Sequence, residues 1–292
     1  VAAALLLAAS PAVARMHAGP NVLHAGHRLQ GAIAPLDGGG AFASSAAAYS
    51  LRKLKSTYAG PGIKLRRASD NATQDINFLG FTGFTGAPLD VAAAASFCNA
   101  TTCFVDTWYD QSGQARNVTQ ATPGYQPQYI ASCVTGKPCL RPVADPNGYL
   151  ISASVAWTAA RTTLSAVGNR TSGTGNCTLS SKHISLIGSH TVANQWLVSD
   201  QTTNNFALSA ADNAWHAGIG VVDGAASLGR IDATETVGTN VTGSAAAGSV
   251  LVARGNTGTV CSQVEALVWD NYVLAPAERA ALTQNQRDYW GF

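Results

Sequence analysis

The sequence predicts an all-β fold, a sandwich or jelly roll with a few short helices including one at the C-terminus. From Tyr149 onward, short β-type runs recur at roughly ten-residue intervals, separated by turns of Gly, Asn, Asp and Ser; this is the rhythm of layered sheets and not of alternating strand and helix. Helical spacing is confined to a few brief stretches. With 292 residues and 46% hydrophobic content, the chain can bury the core of one such domain.

Val1 to Ala14 is a short apolar run ending in Ala12-Val13-Ala14, an A-x-A cleavage pattern, and reads as a signal-peptide remnant without its basic start. It falls short of the roughly 20 apolar residues of a membrane span, and no later stretch supplies one. An unprocessed leader and a segment retained within an assembly are both compatible with it. Residues 15–44, with Gly19-Pro20, Pro35 and Gly38-Gly39-Gly40, form an irregular arm before a domain over 45–292.

Within that domain, Tyr49, Leu51, Leu54 and Tyr58 recur at helical spacing and predict a helix over Ala46 to Tyr58, stopped by Gly60-Pro61. Ile63 to Arg67 alternates as a strand, Ser69-Asp70-Asn71 is a turn, and Asp75 to Phe78 is a further short strand. Pro88 to Phe97, with Asp90 near its start and a run of alanines, predicts a second helix. Phe104 to Tyr109 is the clearest strand, aromatic and β-branched, and runs into a polar turn at Asp110 to Gly113. Further strands are expected at Thr163 to Val167, Ile184 to Ile187, Gln195 to Val198 and Asn205 to Ser209. Trp215 to Val222, Leu228 to Ile231, Ser249 to Ala253 and Val264 to Trp269 continue the series. Leu274 to Trp290, with Pro276 and Glu278 in its first turn, closes the chain as a helix.

Charged residues make up only 12% of the chain, and 18 Lys and Arg against 16 Asp and Glu give a formal charge of +2. Such a surface offers no electrostatic footprint for nucleic acid or an anionic membrane. The basic stretch Arg52 to Arg67 reads as solvated faces of a helix and a strand. Six cysteines in an exported chain favour disulfides. Cys98 with Cys103 and Cys133 with Cys139 can each close a local loop, which leaves Cys177 with Cys261 as a long staple. A zinc site has no support, for no CxxC pair is present and the six histidines lack ligand spacing. No cofactor motif, P-loop or G-x-S-x-G elbow occurs either.

Sugar hydrolysis needs two carboxyl groups about 5–9.5 Å apart across one bond, and acids are scarce after Tyr149. Glu265, on a strand near Cys261, is the best-placed candidate, with Asp200, Asp212 or Asp223 as its partner; pairing with an Arg is the structural alternative. Rings and amides offer a second chemistry, because sugar C–H faces stack on indole and phenol while hydroxyls bond to Asn, Asp and Gln. Trp108, Tyr109, Asp110, Gln111, Trp196, Asp212 and Trp215 are the candidates for such contacts, and the alternative for each ring is the core.

The segment Phe97-Cys-Asn-Ala-Thr-Thr-Cys103-Phe-Val-Asp-Thr-Trp-Tyr-Asp-Gln-Ser-Gly113, continuing to Thr119-Gln120-Ala-Thr-Pro, closely resembles the first cysteine loop and YDQSG turn of the arabinofuranosidase B catalytic-domain family. Ala48 to Asn71 resembles the version of this domain found in bacterial and phage surface proteins. The resemblance covers roughly residues 46 to 130, and Val264 to Trp290 is similar to the final strand and helix of a concanavalin A-like domain. It implies a concanavalin A-like jelly-roll sandwich, a disulfide between Cys98 and Cys103, and arabinose-containing polysaccharide as the prototype substrate. In the family a vicinal disulfide helps to hold the sugar, a Glu on a mid-chain strand is the nucleophile, and an Asp shortly before the last strand is the acid/base. Here no Cys-Cys pair exists, Ile184 to Val198 contains no acid, and the Gly-rich stretch reads Arg254-Gly255-Asn256-Thr257-Gly258. Asn256 can hold a sugar hydroxyl but cannot deliver a proton.

The expectation is therefore a secreted or cell-surface, lectin-like domain that engages a glycan without hydrolysing it. An active arabinofuranosidase is one alternative; the other is a structural subunit of a virion or surface assembly, docked to other chains through residues 1–44.

Overall fold

Residues 103–107 alternate buried and half-buried side chains, the period-two pattern of a strand with one face on the core, and Asn205–Ser209 alternates exposed and buried. The computed structural model describes residues 35–38, 42–80, 86–143, 145–172, 177–183, 185–189, 191–200, 205–256 and 258–292, and the expected leader and most of the arm lie outside them. The first strands are β1 (Ala47–Ser50), β2 (Arg52–Lys53), β3 (Ile63–Arg67), β4 (Thr73–Ile76), β5 (Ala87–Pro88), β6 (Cys103–Trp108) and β7 (Val118–Thr119). The middle of the chain supplies β8 (Gln128–Val134), β9 (Lys137–Arg141), β10 (Leu150–Ile151), β11 (Thr162–Ser172), β12 (Cys177–Lys182), β13 (Ser185–Ser189), β14 (Gln195–Ser199) and β15 (Asn205–Ser209). The last are β16 (Trp215–Val222), β17 (Leu228–Ile231), β18 (Thr234–Val237), β19 (Leu251–Val252) and β20 (Val260–Asp270), with helices α1 (Val91–Phe97) and α2 (Pro276–Trp290).

A large sheet runs β18-β17-β16-β11-β20-β9-β8-β6-β7-β10-β19, with β1 also on β20 and β3 on β6, and a smaller antiparallel sheet runs β12-β13-β14-β15. The two face each other across glycines. A Cβ on Gly218 would lie 2.4 Å from Cζ3 of Trp196, so β16 carries glycine there to let the indole of β14 close against it. Ile219 and Val221, on the other face of β16, pack with Leu267, Trp269 and Leu282 beneath α2. The architecture is the predicted all-β sandwich with a C-terminal helix.

Local residues set the start of both helices and the end of the second. Asp90 caps α1 by accepting the Ala93 N–H at 2.9 Å. In α2, Pro276 sits in the first turn, Glu278 reaches back to the Ala275 N–H at 2.7 Å, and Gly291 ends the helix at φ 82°. All three expected disulfides are present.

The helix expected over Ala46 to Tyr58 is instead β1 and β2, with β1 paired to β20 from Ala47↔Val268 to Ser50↔Glu265. All of β1 is buried, so apolar residues occupy both faces and their spacing no longer separates helix from strand. The basic stretch that follows is not wholly solvated: Arg52 is fully buried and Arg66 nearly so. The β8–β9 hairpin and β12 lie where no strand was expected, β12 because its Cys-Thr-Leu-Ser-Ser-Lys composition hides a run buried on both faces. Leu36, placed in the arm by sequence, is buried against the core, its N–H on the Leu54 carbonyl at 2.8 Å.

Candidate functional site

β12 meets the segment leading through β19 at a seam where the two sheets come together. Thr178 and Arg254 exchange backbone hydrogen bonds of 3.2 and 3.0 Å, and the His183 N–H donates to the Ser249 carbonyl at 3.0 Å. Ser181 Oγ both donates to the Leu251 carbonyl at 2.7 Å and accepts its N–H at 3.0 Å, while β10 flanks β19 through Ile151↔Leu251. The seam encloses a cavity of about 270 Å³. Its walls are the hydroxyl residues Thr178, Ser181 and Ser249, the half-buried His183 and Arg254, and the aliphatic faces of Ile151 and Leu251. Arg254 Nε is held on the Pro146 carbonyl at 3.3 Å. Such a wall combines donors, acceptors and an apolar face, the set a neutral polyol uses.

No carboxylate lines the cavity, although all 16 acidic residues are among the described ones. Asn256 sits two residues past Arg254, in a turn where its carbonyl accepts the Thr259 N–H at 3.0 Å, beside the cavity but not in its wall. Glu265 is fully buried away from any cleft. It accepts from Arg52 Nε at 2.8 Å and Nη2 at 3.1 Å, from Ser50 Oγ at 2.9 Å, and from Gln286 Nε2 at 3.0 Å. The structural alternative thus describes this residue, and no second acid faces it for catalysis. Asp212 is clamped by Arg170 through bonds of 2.8 and 2.7 Å, and that guanidinium holds its pKa below the ordinary value. Asp200 is buried at the end of β14, and Asp223 lies in the turn after β16.

The aromatic and amide candidates fall at separate places in the fold. Trp108 is fully buried against Tyr49. Gln111, also fully buried, accepts the Leu54 N–H at 2.7 Å and donates to the Ser50 and Arg52 carbonyls at 3.1 Å each. Asp110 accepts from the backbone N–H groups of Ala48, Ser112 and Arg116 and from Ser112 Oγ. The YDQSG turn is therefore a knot that satisfies the backbone of β1 and β2, which leaves Trp108, Asp110 and Gln111 no open face for a sugar. Tyr109 is half-buried, its hydroxyl on Asp75 at 2.6 Å; burial and that carboxylate push its pKa up. Trp196 is buried edge-on to His216, and Trp215 is half-buried at the edge of the core. His183, Thr178 and Ser181 were invisible as site residues because nothing in their local sequence points at Arg254.

Among the described residues no group of three or more His, Cys, Asp or Glu is placed to hold a metal ion, and no helix is long and apolar enough to cross a membrane.

The family model for the catalytic domain of alpha-L-arabinofuranosidase B matches residues 37–187, just over half of the chain. A probable alpha-L-arabinofuranosidase B of Aspergillus fumigatus is 46% identical over 79 residues, 27% of this chain and 15% of that protein. An alpha-L-arabinofuranosidase of Hypocrea jecorina is 40% identical over a stretch of the same length. The chain thus matches only a small part of the curated relatives' length. Among solved structures, a GH54 α-L-arabinofuranosidase soaked with a cyclic sulfate inhibitor superposes with a TM-score of 0.62 at 20% identity, covering 82% of this chain and 62% of that one. An arabinofuranosidase complexed with arabinofuranosyl-alpha-1,2-xylobiose gives 0.60 at 18% identity, with the same coverage. The fold is shared with these structures, and the sequence match runs from the β1 segment through the first two disulfide loops into β13: the chain belongs to the alpha-L-arabinofuranosidase B catalytic-domain family.

Proposed function

We propose that this chain is an extracellular carbohydrate-binding domain that keeps the sandwich of its family without cleaving glycosidic bonds. The observation that carries the reading is the cavity at Arg254. It lies against the stretch where the family resemblance places the acid/base Asp, and its wall offers hydroxyls, an imidazole and a guanidinium but no carboxylate. Hydrolysis needs one acid to protonate the leaving oxygen and a second to attack or to activate water. Two of the acids that sequence put forward bind cations instead, Glu265 on Arg52 and Asp212 on Arg170. In a cavity so built, His183 and Arg254 donate to sugar oxygens, the Thr and Ser hydroxyls complete the shell, and Ile151 and Leu251 meet a C–H face. Arabinose-containing polysaccharide is the substrate class that the family supplies. Three disulfides support an oxidising, extracellular location.

Calorimetric titration with arabinoxylan and arabinan oligosaccharides, run beside a hydrolysis assay on 4-nitrophenyl α-L-arabinofuranoside, tests the reading. Saturable binding without turnover is expected, with affinity falling about tenfold or more in Arg254→Ala through loss of a charged hydrogen bond. Turnover above the buffer blank, or no heat with any oligosaccharide, overturns it.

A further inference from the structure

The β17–β18 hairpin turns at Asp232, which holds a left-handed backbone at φ 53°, a conformation that Asp tolerates better than most residues. The turn is bolted to β16. The Asp232 N–H donates to the Ala217 carbonyl at 2.8 Å, and the Ala217 N–H returns to Asp232 Oδ1 at 3.0 Å. Oδ2 lies 2.8 Å from His216 Nδ1, and the other ring nitrogen of His216 is 3.0 Å from the Ala211 carbonyl. With acceptors on both nitrogens the ring is favoured as imidazolium. Arg287 Nε stands 4.0 Å from Oδ1. Burial opposes ionisation of Asp232, yet the His216 and Ala217 bonds and the charge of Arg287 together hold its pKa below the ordinary value.

Beside this carboxylate, between the end of β15 and the hairpin, lies a cavity of about 460 Å³. Leu208 and Ile231 supply its apolar surface, and Ser209, Thr234 and Thr236 line it with hydroxyls. A carboxylate offers about four acceptor positions. Protein donors take one on each oxygen, so two remain for a ligand, the number that two neighbouring hydroxyls of a sugar require. A metal cation is disfavoured, since the one carboxylate already faces an imidazolium and a guanidinium. An anion would meet the carboxylate directly. A neutral polyol fits: its hydroxyls donate to Asp232, exchange bonds with the Ser and Thr hydroxyls, and its C–H face covers Leu208 and Ile231.

We propose that this groove is a second saccharide site, separate from the cavity at Arg254, with Asp232 accepting two hydroxyls of one sugar residue. The two cavities share no lining residue, so each stands or falls alone. A domain with two sites holds a polysaccharide by multivalent contact, with avidity above either single affinity.

The test is a titration of the full chain with xylotetraose and with arabinotriose, following the ¹⁵N resonances of the His216 ring, whose Nδ1 shares the Asp232 carboxylate with the incoming hydroxyls. A saturable shift is expected in the wild type and in Arg254→Ala. It should weaken at least tenfold in Asp232→Asn and severalfold in Thr236→Val, a change that leaves the ion pair intact should the first variant fold poorly. A His216 ring insensitive to both oligosaccharides, or a shift that both variants leave unchanged, overturns the proposal. Loss of one of two calorimetric binding events in Arg254→Ala with the His216 shift retained supports two independent sites. Binding unaltered by Arg254→Ala but abolished by Asp232→Asn upholds this site while removing the one at Arg254.

Discussion

Replacing Glu265 with Gln should unfold this domain more readily without touching its ligand chemistry. The Glu265 and Arg52 side chains are both fully buried, between the β1–β20 pairing and α2. One carboxylate oxygen accepts from Arg52 Nε and Ser50 Oγ, the other from Arg52 Nη2 and Gln286 Nε2. An amide keeps only one acceptor oxygen, so whichever way Gln turns, its NH₂ confronts an Arg52 N–H. Arg52 has Asn285 Oδ1 at 2.8 Å and the Tyr289 ring 4.8 Å from Cζ among its other partners. Neither carries a countercharge.

Leaving one member of a buried ion pair uncompensated costs about 3–5 kcal/mol. For a domain of this size that corresponds to a Tm lowered by roughly 6–20 °C. The Arg52→Met/Glu265→Leu double variant removes both charges and should recover most of the loss, because desolvation of the pair offsets much of its attraction. Urea denaturation and calorimetry of the two single variants and the double variant measure the cycle. A Glu265→Gln protein within 1 kcal/mol of wild type, or one that keeps its Tm but loses an activity on arabinofuranosides, would refute the structural role assigned to this acid.

Gln111→Ala should destabilise the domain by about 1–3 kcal/mol for each buried backbone group it strands, with saccharide affinity unchanged; loss of affinity at constant Tm would return Gln111 to the ligand. The His216–Asp232 pair predicts a pH profile. Burial lowers the His216 pKa, but the Asp232 and Ala211 bonds outweigh it and leave the value above the ordinary 6.5. Its contribution is therefore complete below about pH 6.5 and is lost as pH rises through the raised folded value. Asp232, depressed below 3.8, loses its contribution only as pH falls through that lower folded value. Tm against pH should show a plateau between roughly pH 4 and 6.5 and an alkaline decline that His216→Gln flattens, with Arg287 as the other charged group beside the pair. Removing the Cys177–Cys261 bridge, which spans 84 residues, should cost about 4–5 kcal/mol by chain entropy, against about 2 kcal/mol for Cys98–Cys103; equal losses by denaturant titration would contradict that account.

Where side-chain periodicity and one-sided burial coincide, sequence located the elements closely. β15 and β17 occupy the residues expected of them, and α2 begins at its Pro and ends at its Gly. The disulfides followed from spacing because two of the loops are short and the third pair was what remained. β1 escaped because burial on both faces removes the alternation that marks a strand. Asp110, Gln111 and Arg52 read as surface polar residues, yet each answers a buried backbone group or charge contributed by a distant segment. Trp196 resembled a sugar platform until Gly218, on a different sheet, proved to be the surface it covers.

Composition, turn chemistry and cysteine spacing determined the layered β architecture, its staples and the scarcity of acids, since these depend on residues near one another or on totals. The tertiary structure decided which polar groups face a cavity. Ser181 and Leu251, 70 residues apart, meet only when the β12 edge closes on β19, and the sheet register that brings them together sets which groups have protein partners and which face a ligand. Hydrogen bonding between segments so far apart leaves no local periodicity in the chain, because its geometry belongs to the packing of whole sheets.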